Sequence, residues 1–163
     1  MRPVTRRTLV GASLVLVTTL GMSAPAFAGG HGQSGHSGHG GTLLKADLIG
    51  SLTTDPPLFG VNRGGVDWTV SRSRVEVKAN GRIDAKVRNL LIVSTQTNPV
   101  PTISASLVCN GMVADTIGPV AFSTSGNARI KGTFDVPDRC LAPAVLLNPL
   151  DRVGTYIAAS GVA

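Results

Sequence analysis

Residues 74–87 read Arg-Val-Glu-Val-Lys-Ala-Asn-Gly-Arg-Ile-Asp-Ala-Lys-Val, and the alternation within them decides the fold. Val75, Val77 and Ala79 alternate with Glu76 and Lys78; past Asn80-Gly81, Ile83, Ala85 and Val87 alternate with Asp84, Lys86 and Arg88. A period of two makes a strand with one apolar and one polar face, and Asn-Gly between two such runs makes a hairpin. A two-residue loop would set Val77 opposite Asp84 and mix the faces. A three-residue loop places Val75 and Val77 on the face of Ile83, Ala85 and Val87 and gives Gly81 the left-handed position that such loops need. The hairpin then has one buried face and one exposed, charged face, on which Glu76 and Lys78 are placed to pair with Lys86 and Asp84.

The same grammar extends through the chain from Thr42. Strand-type runs are read at Leu43 to Leu52, Val66 to Val70, Arg74 to Ala79, Ile83 to Val93, Thr102 to Cys109, Met112 to Thr116, Val120 to Ser123, Ala128 to Val136, Ala144 to Leu147 and Thr155 to Val162. Turn-forming residues separate them, among them Asp55-Pro56-Pro57, Asn98-Pro99, Asn110-Gly111, Gly118-Pro119, Ser125-Gly126-Asn127 and Asn148-Pro149. No segment carries a helical period. The expected fold is all-β, a single antiparallel β-sandwich domain, Ig-like or similar, over residues 42–163.

Upstream of this domain lie Arg2, Arg6 and Arg7, an apolar run from Leu9 to Met22, and Ala26-Phe27-Ala28. These are the positive, apolar and cleavage regions of a signal peptide over residues 1–28, with an apolar run too short to span a bilayer. Arg6-Arg7 followed by Leu9-Val10 also fits a twin-arginine signal, but the positive region of an ordinary secretory signal explains the pair more simply. Cleavage after Ala28 leaves 135 of the 163 residues, enough for one domain, and lowers the formal charge from +6 to +3. The expected product is secreted, with no transmembrane segment and no lipid-anchor cysteine. Its remaining Lys and Arg are scattered along the chain, and its aromatics are only Phe59, Trp68, Phe122, Phe134 and Tyr156. Nucleic acid is therefore not an expected partner, and the partner class is an envelope or extracellular ligand.

All three histidines, His31, His36 and His39, fall within residues 29–41, a Gly/Ser/His-rich tract with no apolar residue that is expected to be a disordered tail. Without a histidine in the folded part, no Ser-His-Asp or Cys-His arrangement can be assembled there, and the expectation is a non-enzyme. No cofactor is firmly implied. A metal site is nevertheless available at the processed terminus. The amine of Gly29, the amide nitrogens of Gly30 and His31 and the His31 imidazole offer four nitrogens in a plane, a set suited to Cu(II) or Ni(II), with His36 and His39 as additional imidazoles.

Cys109 and Cys140, an even pair in an exported chain without C-x-x-C spacing, are expected to form a structural disulfide. The long loop from Pro56 to Val66 is the candidate binding loop, carried by Leu58, Phe59, Arg63 and the adjoining Asp67. Turn formation accounts for Asp55 before Pro56, and Leu58 and Phe59 are also suited to capping one end of the core.

The run from Pro56 to Trp68, the run Cys140 to Leu147 and the closing Tyr156 to Gly161 resemble small exported bacterial proteins of uncharacterised function. The resemblance implies an exported β domain and carries over neither an activity nor site residues.

Overall fold

The computed structural model describes residues 41–161. The signal-peptide and tail residues, and with them Gly29, Gly30, His31, His36 and His39, lie outside the described residues. Twelve strands follow one another: β1 Thr42–Gly50, β2 Asn62–Arg63, β3 Trp68–Thr69, β4 Arg74–Lys78, β5 Arg82–Val87, β6 Leu91–Ile92, β7 Thr102–Cys109, β8 Met112–Ala121, β9 Ala128–Thr133, β10 Ala144–Pro149, β11 Thr155–Tyr156 and β12 Ala158–Ser160. Among the described residues there is no helix, and hence none long and apolar enough to cross a membrane.

Eight strands form one antiparallel sheet in the order β8-β7-β10-β12-β1-β4-β5-β9. The all-β, antiparallel expectation holds, but the two facing sheets of a sandwich are replaced by one sheet curled almost into a barrel. The cause is β1. Its residues Thr42 to Asp47 pair with β4 and its residues Leu48 to Gly50 pair with β12, so the two halves of the fold are hydrogen-bonded through one strand. Register shifts in β1–β4 and twice in β7–β8 add the bulges that increase twist and curl. The outer strands approach each other: the Asp135 amide donates to Asp115 Oδ2 at 2.8 Å, and a Cβ on Gly132 would stand 3.0 Å from Ile117 Cδ1.

The alternating apolar residues fill the inside of this curl. Val75, Val77, Ile83, Ala85 and Val87 from the hairpin meet Ile103, Ala105, Leu107, Ile130, Val145 and Leu147, and Trp68, Leu90, Phe122 and Phe134 complete the core. The hairpin register is the one the three-residue loop requires, with Val77 opposite Ile83 and Val75 opposite Ala85. Gly81 takes φ 83°, and a Cβ there would lie 2.1 Å from the Phe134 carbonyl oxygen, so the turn needs glycine twice over.

Several strand ends differ from the sequence reading, and β2 lies inside the loop expected over residues 56–66; three differences change the strand pairing. The run Ile83 to Val93 breaks after Val87 because Asn89 turns the chain (φ 49°), and Leu91–Ile92 pairs instead with Trp68–Thr69. The two runs around Gly118-Pro119 are one strand, β8, which carries an extra residue opposite Ser104. A proline, lacking an N–H, is accommodated there because β8 has a ladder partner on one side only. The run from Thr155 divides at Ile157, with β11 pairing in parallel with β2 and β12 joining the main sheet.

Candidate functional site

The expected binding loop is held by its own structure. The Arg63 Nε donates to the Thr53 carbonyl, and the Thr53 amide donates to Asp67 Oδ1 at 2.6 Å, so both charged residues grip one neighbouring backbone unit. The hydrogen bond from Thr53 holds the Asp67 carboxyl below the ordinary aspartate range. Asp55 serves its turn: its Oδ2 accepts the Leu52 amide at 2.7 Å. Leu58 and Val61 exchange backbone hydrogen bonds across Phe59 (φ 52°) and Gly60 (φ 80°). Leu58 then packs with Val61, Val108, Leu146 and Tyr156 over the outer side of β7 and β10, while Phe59 is 39% exposed. The buried Tyr156 hydroxyl donates to the Pro56 carbonyl at 3.0 Å, and burial pushes its pKa up. The structure thus brings Arg63 and Asp67 together at Thr53, whereas Leu58 acts as a cap.

The charge is concentrated elsewhere. On the outer faces of β1, β4, β5 and β9 the register builds cross-strand rows. One row runs Asp47–Arg74–Lys86–Arg129 and the next Lys45–Glu76–Asp84–Lys131. Lys78 and Arg82 continue the pattern on one side, and Arg72 and Arg88 on the other, all lining shallow depressions on this face. Neighbouring side chains on such a face stand about 5 Å apart across strands and about 7 Å apart along them. Nine of the twelve Lys and Arg within residues 41–161 are gathered here against three acids, Asp47, Glu76 and Asp84. The face carries a formal +6, and the rest of the described chain carries −3.

The pairing expected between Glu76, Lys78, Lys86 and Asp84 is corrected by this register. The three-residue loop sets Glu76 opposite Asp84 and Arg74 opposite Lys86, two like-charged pairs. The acids find other partners. Glu76 pairs with Lys78 two residues along its own strand, and Asp84 pairs across β9 with Arg129, whose Nη2 and Nε donate at 2.6 and 3.1 Å. Those donors hold both carboxyls below the ordinary range. These are the two ion pairs among the described residues. Arg72, Arg74, Lys86 and Arg88 therefore keep their charge unpaired.

Sequence reasoning noted the charged hairpin face but took the cations of the whole chain as scattered. Arg74 and Lys86 face each other on strands whose pairing the hairpin fixes, and Arg72 and Arg88 follow two residues out on either arm, which is the signal that joins them. The part contributed by Lys45, Arg129 and Lys131 depends on β1 and β9, whose neighbours no local pattern names.

The disulfide Cys109–Cys140 is formed, with Cα atoms 4.7 Å apart. Among the described residues there is no group of three or more His, Cys, Asp or Glu placed to hold a metal ion. Comparisons of the chain with family models, curated proteins and solved structures find no match.

Proposed function

We propose that the chain is an exported binding module that holds an extended polyanion on the outer face of β1, β4, β5 and β9. The observation that carries the reading is the gathering of nine cations and three acids on one face, while the rest of residues 41–161 is net negative. A ligand with regularly spaced negative charge is attracted to such a face and repelled by the rest of the surface, which orients it on approach. The signal-peptide pattern, the resemblance to small exported bacterial proteins and a disulfide, which persists in oxidising compartments, support an envelope or extracellular setting.

The test is binding of the secreted protein to linear polyphosphate, followed by fluorescence anisotropy. Affinity is expected to fall steeply between about 50 and about 200 mM salt. Lys86→Glu is expected to weaken it about tenfold or more, while Arg139→Gln and Arg152→Gln, which lie off the face, leave it unchanged. No binding at the lower salt concentration, or equal losses from all three variants, overturns the proposal.

A further inference from the structure

The basic face is not uniform along its strands. In the row of Glu76 and Asp84 the acids offset the flanking lysines, but at the end where β4 begins and β5 finishes no such balance exists. Arg72, Arg74, Lys86 and Arg88 line a depression of about 520 Å³ in which Asp47 is the one acid. Arg72, Lys86 and Arg88 also line the adjoining depression of about 720 Å³, where Ser71, Asn89 and Asn127 add neutral polar groups.

The backbone under these cations is fixed from below. The buried Ser73 hydroxyl accepts the Arg88 amide at 2.7 Å and lies 3.2 Å from the Ser71 and Arg88 carbonyl oxygens, tying the chain before β4 to the chain after β5. Arg72 (φ 44°) and Asn89 (φ 49°) are held in the left-handed region. Behind them Leu90, fully buried, donates its amide to the Gly126 carbonyl at 3.0 Å. Non-glycine residues persist in such conformations where the surroundings over-determine them, a feature that concentrates at binding sites.

Resting on the polyanion reading, we infer that this end of the face is a phosphate subsite, and that the ligand is a phosphodiester-linked or polyphosphate-type polymer. A carboxylate has two oxygens in one plane and is satisfied by a single guanidinium fork, whereas a phosphate presents oxygens in several directions and accepts forks from more than one side. Three guanidiniums and one ammonium reach one depression from both arms of the hairpin, Arg74 and Lys86 on its strands and Arg72 and Arg88 just beyond them, which suits the second geometry. No aromatic ring lines either depression, so bases and sugar rings have nothing to stack on. Of the exposed large apolar side chains, Ile49, beyond Asp47 on β1, is the one that borders the face on its strands. One such residue gives little to insert among lipid tails, and the occupant is a soluble polymer rather than a membrane surface.

Titration of the secreted protein with polyphosphate and with poly-L-glutamate of matched charge, at one ionic strength, tests the inference. Polyphosphate is expected to bind about tenfold or more tightly than poly-L-glutamate. The double variant Arg72→Lys with Arg88→Lys keeps the charge and removes two forks. It is expected to erase most of that preference with an unchanged melting temperature, whereas Arg82→Gln at the far end lowers both affinities alike. Equal affinity of the unaltered protein for the two polymers, or a preference that survives the double lysine variant, overturns the phosphate subsite and leaves the polyanion reading standing. Failure to bind either polymer overturns both. Tight binding to phosphatidylglycerol vesicles without binding to soluble polyphosphate overturns the inference in favour of a lipid surface.

Discussion

Ser73 shows how one small side chain serves both the core and the charged face. It is 2% exposed, and its hydroxyl accepts the amide of Arg88 fifteen residues away. Ser73→Ala removes the partner of that part-buried N–H, at a cost of about 1 kcal/mol, which denaturant unfolding will read directly. If the polyanion reading holds, loosening the Arg88 backbone also lowers polyphosphate affinity, which anisotropy reads separately from stability. Residues of this kind differ in how far the sequence reveals them. Gly81 was legible because Asn-Gly between alternating runs demands a left-handed residue. Gly126 was not: its φ of 72° and the Leu90 oxygen 2.4 Å from where a Cβ would stand are imposed by a segment 36 residues upstream. Arg63 and Asp67 were legible as a pair near one loop. Their attachment to Thr53 depends on a fold-back that composition does not encode.

At the scale of the element, the β4–β5 hairpin was readable in full register because its apolar and charged positions alternate without interruption on both arms. Elements failed where local punctuation was taken as an end. Gly118-Pro119 stopped the reading of β8, although a terminal strand tolerates both a bulge and a missing donor. The alternation from Ile83 to Val87 leads straight into the apolar run Leu90 to Val93, and this continuity hid the turn at Asn89. The β5–β9 pairing makes its own prediction through Asp84 and Arg129. Arg129 keeps the Asp84 carboxyl ionised to lower pH than in the unfolded chain, so its contribution to stability is present at neutral pH and is lost as pH falls through the depressed folded value. Asp84→Asn is accordingly expected to melt below the unaltered protein at pH 7, with the gap closing below about pH 4. Thermal melts across that range check it. The same substitution frees Arg129, so polyphosphate affinity at neutral pH rises, as a balanced lattice losing one acid requires.

For the molecule as a whole, strand spacing announced an antiparallel β domain without separating a sandwich from a curled sheet. That distinction lies in β1, which pairs on both sides with segments distant in sequence. The disulfide was legible from cysteine count and export pattern. It joins Cys109, the last residue of β7, to the connection before β10 across 31 residues. Asn110 fastens the same connection, its Nδ2 donating to the Arg139 carbonyl at 2.8 Å and its Oδ1 accepting the Leu141 amide at 3.0 Å. Because those bonds do not involve sulfur, loss of the crosslink is expected to act chiefly on the unfolded chain. Replacing both cysteines by alanine is expected to lower stability by about 3–4 kcal/mol, measured by urea unfolding of the double variant.

The divided pairing of β1 also sets the order of events at birth. Its first residues need β4, some 30 positions behind them, whereas Leu48, Ile49 and Gly50 wait for Ala158 to Ser160, more than 100 positions later. Contacts so far apart in sequence are slow to form. The seam cannot close until nearly the whole domain has been synthesised. The sheet is thus kept open while the chain is being made, and assembles only when its last strand arrives to meet its first.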